Sequence, residues 1–194
     1  MESISRAQTA WWSSWSALVV AVMVSALVVG FPSSVSSQAT PAASGSIEIS
    51  GLITETTILT VADLQAYPAE QVDVTYEAGG TLENHSFTGT SLFGVIDDIG
   101  LAVPEDARNP LLEMVIIVSA SDGYQVVFSG GEIDPNFGNA PILLAWEQDG
   151  APLEGEDGPV RIVVPGDLRG GRYVSGVTTI EIVSIREDGA TPVA

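Results

Sequence analysis

From Ile47 onward the chain alternates short apolar, β-branched runs with Gly-Gly, Asp-Gly and Pro-Gly pairs, and this punctuation confines it to brief strands joined by tight turns. Ile47, Ile49, Gly51 and Ile53 stand at every second position, as in a half-buried strand, and Ile58 and Leu59 follow after a short connection. Thr60, three residues before Asp63, predicts a capped helix of one or two turns that Pro68 ends. Val72, Val74 and Tyr76 alternate as a second strand, Gly79-Gly80 turns the chain, and Phe87 belongs to the returning strand. Thr90-Ser91 opens a helix in which Leu92, Val95, Ile96 and Ile99 recur at helical spacing, with Gly100 at the C-terminal cap.

Residues 114–118 form an unbroken apolar run, which predicts a strand covered on both faces. Asp122-Gly123 then turns into YQVVF as a hairpin. Residues 142–146 read as another core strand with Asp149-Gly150 as its hairpin turn, and residues 160–164 as a further strand ending at Pro165. The last strand, 177–185, carries Val177, Thr179, Glu181, Val183 and Ile185 on one side and Thr178, Ile180, Ile182 and Ser184 on the other. Apolar residues occur on both sides, so its solvent face stays open. The sum is an α+β domain, a mixed sheet of six to eight short strands with one clear helix and no internal repeat.

The 194 residues leave room for one domain of ordinary size behind a leader. Residues 1–39 read as a signal peptide: Arg6 and three tryptophans precede an apolar run from Ala17 to Phe31, and Ser37-Gln38-Ala39 offers small residues for cleavage after Ala39. An uncleaved N-terminal anchor is the alternative, because counted from Ala10 the segment approaches the roughly 20 residues that span a bilayer. Either way the domain lies outside the cytoplasm, whether secreted, periplasmic or at the cell surface. Residues 40–46 have the composition of a flexible linker, 47–186 form the folded domain, and 187–194 are a tail.

The formal net charge is −19, from 25 acidic residues against six arginines and no lysine. Such a surface has no basic stripe to displace phosphate counterions, which excludes nucleic acid as a partner, and it is repelled by anionic membranes. A membrane contact remains only through an uncleaved leader. There is no cysteine, so disulfides, thiolate zinc sites, iron–sulfur clusters and thiol nucleophiles are all excluded.

Arg161, Arg169 and Arg172 hold half of the positive charge, two of them in a glycine-rich loop whose backbone N–H groups suit an anion. The competing expectation, favoured by the acidic excess, is that each pairs with a local carboxylate such as Asp167, Asp134 or Asp157 and locks the loops. Asp122, Glu132 and Asp134, with Asn136 and Asn139, offer oxygen at high density, but the spacing is not that of a calcium loop and Asx-turns explain it better. His85, the only imidazole, has no nucleophile motif around it and reads as a surface or loop histidine. Tyr124, Trp146 and Tyr173 are expected in the core, with a pocket wall as the alternative.

SLFGVIDDIGL, DGY at 122–124, ILLAW at 142–146, the Gly158-Pro159 pair with RIVVPGD behind it, and GGRYVSG at 170–176 occur in an order and spacing that resemble the molybdopterin-binding oxidoreductase domain of sulfite oxidases, above all its short exported members. The resemblance runs from about Ile49 through Val183. It implies the mixed-sheet fold of that family, an oxidoreductase label, and molybdopterin as a possible cofactor, with Arg161, Arg169, Arg172, Asp122 and Tyr124 as candidate cofactor-binding residues. In catalytic members a cysteine in the first half of the domain binds the metal; the corresponding stretch here, VTYEAGGTLENHSFTG, has no thiol. A change of ligand alters the tuning of the metal. The favoured expectation is therefore a domain without bound cofactor, acting as a binding or accessory module for a small anion or a protein partner. A working molybdenum oxidoreductase with an unusual ligand and an extracellular structural domain are the alternatives. No catalytic or metal-ligating residue is assigned.

Overall fold

The computed structural model describes residues 45–103 and 107–185; the leader, all but the last two residues of the linker, and the tail lie outside them. Among the described residues are ten strands, three short α-helices and two 3-10 turns. The strands form two five-stranded sheets rather than one.

The first sheet contains β1 (Ser46–Gly51), β2 (Thr57–Thr60), β5 (Met114–Ala120), β6 (Gln125–Ser129) and β10 (Val177–Ser184), in the order β2-β1-β10-β5-β6. β1 lies parallel to β10 and every other neighbour is antiparallel, so the sheet is mixed as expected. The second sheet runs β3 (Glu70–Ala78), β4 (Thr81–Ser91), β7 (Leu143–Gln148), β8 (Ala151–Pro152), with β9 (Arg161–Val163) also paired to β7. One apolar cluster joins them: Ile47, Ile49, Ile116, Phe128, Ile180 and Ile182 from the first sheet meet Phe87, Leu143, Leu144 and Ile162 from the second.

Local signals produce the local structure. Thr60 accepts from the Asp63 amide while the Asp63 carboxylate accepts from the Thr60 amide at 2.8 Å, a capping box on the one-turn helix α1 (Val61–Leu64). Ser91 caps α2 (Leu92–Ile99) through the Gly94 amide, and the helix buries Leu92, Val95 and Ile96. Asp149 at φ 54° and Gly150 at φ 79° carry the left-handed turn between β7 and β8 that their sequence predicts. A third helix, α3 (Gly130–Ile133), was not anticipated.

One strand differs from its sequence expectation, and the open face of another is decided. β5 is not covered on both faces: Met114, Ile116, Val118 and Ala120 are buried, whereas Val115, Ile117 and Ser119 are only half-buried. Its sheet turns one face to the core, and the apolar run reflects β-propensity as much as burial. In β10 a register shift between Val177 and Thr179 puts Val177, Ile180 and Ile182 all in the core, leaving Glu181 exposed. A bulge of this kind changes which side of a strand faces inward partway along it, and strict alternation cannot foresee that.

Candidate functional site

A cleft of about 600 Å³ opens where the β5–β6 hairpin meets the segment before β10. Its walls include Ser121, Asp122, Tyr124, Glu156, Tyr173 and Ser175. One backbone link joins the walls, the Ser121 amide donating to the Gly176 carbonyl at 2.9 Å, and another ties the Val174 side to β9, the Ile162 amide donating to the Val174 carbonyl at 2.9 Å. The hairpin turn is fixed by Asp122, whose carboxylate accepts from the Tyr124 amide at 2.8 Å. The Tyr124 hydroxyl then donates across the cleft to the Gly171 carbonyl at 2.7 Å, which anchors a ring that is 50 % exposed.

Tyr173 differs. It is 6 % exposed, stacks on Tyr76 at 4.1 Å between centroids, and its hydroxyl donates to the Val164 carbonyl at 2.9 Å. Burial, with the Asp167 charge behind it, pushes this phenol up to about 12. Trp146 lies in the core, as expected. Of the three aromatics, then, one is core, one is wall, and Tyr173 serves as both. Ser175 donates to Asp157 at 2.9 Å, so a second carboxylate stands behind that wall.

The structure brings Asp122 and Tyr124 together in the cleft, and the three arginines meet carboxylates. Arg172 gives its Nε and Nη2 to the two oxygens of Asp167 at 2.7 Å each and its Nη1 to Glu132 at 2.8 Å, with its guanidinium 5.2 Å from the Phe128 ring centroid. Hydrogen bonds to Asp167, then to Glu132, hold it above the ordinary guanidinium range. Arg161 reaches Asp157 at 3.7 Å and Gln148 at 3.3 Å and sits 5.5 Å from the Phe87 ring centroid; its Nε is buried without a hydrogen-bond partner. Arg169, whose side chain is 79 % exposed, makes only a loose 3.6 Å contact with Glu77. Asp167 and Asp157 were the foreseen partners. Asp134 is not one of them: it is buried and accepts from the backbone and side-chain nitrogens of Asn136 at 2.8 and 3.0 Å, an Asx-turn.

His85 lies in β4, not in a loop, and its side chain is only 21 % exposed. Its Nδ1 is 2.7 Å from Asp149 and its Nε2 3.4 Å from Glu83. Gln148 Nε2 also stands 3.1 Å from Nδ1. The shorter contact assigns the proton to Nδ1, which makes the amide a neighbour rather than a donor. The Asp149 carboxylate also accepts from the Ser86 amide at 2.9 Å, and with His85 this holds it below the usual aspartate range. The group ties the β7–β8 turn to β4.

The sequence carries no signal for Glu156 or Ser175, because the cleft is assembled from three separated segments. As a donor set these residues do not fit a metal held by protein sulfur: the chain has no thiol, and among the described residues no group of three or more His, Asp or Glu side chains stands where it could hold a metal ion. Of the arginines expected to face a pterin phosphate, Arg172 is fully engaged by carboxylates, whereas Arg161 and Arg169 meet theirs only at 3.7 and 3.6 Å.

A likeness to solved proteins is clear in the fold. The sulfane dehydrogenase SoxCD from Paracoccus pantotrophus superposes with a TM-score of 0.58 at 20 % identity, over 71 % of this chain and 38 % of that one. At that identity the likeness concerns the fold, and the present chain spans well under half of the larger protein. No curated protein matches. The model of the oxidoreductase molybdopterin binding domain matches residues 35–191, and the chain belongs to that family.

Proposed function

We propose that the chain is an exported domain on the sulfite-oxidase-type molybdopterin scaffold that carries no thiolate-ligated molybdenum and acts outside the cytoplasm as a binding or accessory module, with the cleft at Asp122, Tyr124 and Tyr173 as its ligand site. One observation carries the reading: the family's redox ion is tuned by a protein thiolate, and this chain has no sulfur nucleophile to give it. Occupation of Arg172 by two carboxylates supports it, since a phosphate there would first have to displace Asp167 and Glu132. Export is supported by the leader, with its apolar run and the small residues at 37–39.

The test is expression in a host that makes the cofactor, followed by metal analysis of the purified protein and pterin fluorescence after denaturation. Neither molybdenum nor pterin is expected. Near-stoichiometric molybdenum would overturn the proposal in favour of a working oxidoreductase with an oxygen or nitrogen ligand.

A further inference from the structure

We infer that the cleft binds a small organic cation, an alkylated or primary amine, and not an anion; this deepens the proposal above and rests on its assignment of the cleft as the ligand site. The volume, about 600 Å³, lies within the range of small-molecule pockets. Every charged residue on its walls is acidic: Asp122 on the hairpin side and Glu156 on the other. Asp157, bound to the wall residue Ser175 at 2.9 Å, is already met by Arg161 at 3.7 Å, which leaves Asp122 and Glu156 as the charges that face a ligand. Arg172 follows Gly171, whose carbonyl anchors Tyr124, but its guanidinium is turned to Asp167 and Glu132.

Two tyrosines complete the walls. A tyrosine face attracts a cation through its ring quadrupole, and the attraction grows as water is excluded. Tyr124 is held by its hydroxyl bond to Gly171, and Tyr173 by its bond to Val164 and its stack on Tyr76, so little ordering is left to the ligand. Walls that combine tyrosines with carboxylates recognise an ammonium group. The chain's net charge of −19 would draw such a ligand in and repel a phosphate.

The test uses the full chain with three probes: choline, its neutral isostere 3,3-dimethyl-1-butanol, and inorganic phosphate, followed by amide NMR shifts. Choline should shift residues 121–124 and 173–175, and the other two probes should not. The double variant Asp122→Asn, Glu156→Gln should weaken choline binding about fivefold, since each of the two exposed charge pairs it removes contributes about a factor of two. Asparagine keeps an acceptor for the Tyr124 amide, and an unchanged melting temperature checks the fold. Tyr124→Ala should weaken it about three- to fivefold. Equal response to the neutral isostere, a stronger response to phosphate, or no choline shift at these residues would each overturn the inference. Failure of the wider proposal has its own mark, which is molybdenum in the purified protein.

Discussion

Replacing Arg172 with alanine separates an arginine that holds the fold from one that waits for a ligand. Its side chain is 35 % exposed, and Asp167 and Glu132 are 23 % and 30 % exposed, so the trio lies between a surface pair and a buried one. Exposed pairs contribute roughly 0.2–1 kcal/mol, whereas breaking a buried pair costs about 3–5 kcal/mol. The two bonds to Asp167 form a rigid fork, and removal of the guanidinium also leaves two carboxylates facing each other. Contact with the Phe128 ring adds about 0.5 kcal/mol at such exposure. After discounting for solvent screening, Arg172→Ala should cost about 2 kcal/mol, which lowers the melting temperature by roughly 4–8 °C in a domain of this size. Arg172→Lys should recover about half, because it keeps the charge and loses the fork. Arg169→Ala is the control: exposed and loosely paired, it should change stability by less than about 0.5 kcal/mol. Thermal melts by circular dichroism read all three. If Arg172→Ala melts within a degree of the parent at low salt, the argument that this arginine is a structural clasp fails.

Two further outcomes follow from single positions. Gly51, at φ +91°, lies against the Ile182 carbonyl of β10, and a Cβ there would drive into that oxygen; Gly51→Ala should destabilise by about 2–4 kcal/mol, and a chemical denaturation midpoint equal to the parent's would count against the parallel β1–β10 pairing. Tyr173 is neutral in the fold and its folded pKa, about 12, lies above the free value of 10, so the stability it adds is complete below pH 10 and is lost as pH rises toward 12. Tyr76 and Tyr67 are also raised and titrate in both proteins, so the reading is the difference: across that window Tyr173→Phe should lose on the order of 2 kcal/mol less than the parent, as followed by denaturation at stepped pH, and identical alkaline profiles would refute the assignment.

The legible parts of this fold are those decided within a few residues. Thr60 with Asp63, Ser91 ahead of Leu92, and Asp122-Gly123 and Asp149-Gly150 each fix a cap or a turn through their own backbone, and the structure keeps all of them. The single mixed sheet failed for a different reason: Gly79-Gly80 announces the hairpin of 70–78 with 81–91, but strand periodicity gives no partner beyond a hairpin, so nothing in 81–91 or 143–148 says that these strands pair with each other and not with 46–51. The inward side of β10 was undecided because its bulge is set by the pairing with β5. His85 was misplaced since its carboxylate partner Asp149 is 64 residues away.

The sequence by itself determined the turns, the caps, the acidic surface and the lack of any thiolate ligand, because each depends on residue identity or on neighbours along the chain. Only the tertiary structure decided that Arg172 is spent on Asp167 and Glu132, and that Asp122, Tyr124, Glu156 and Tyr173 share one cleft. The physical reason is that opposite charges and strand edges are interchangeable in a sequence with 25 acidic residues and, among the described residues, ten strands, and only a packed core selects which of them meet.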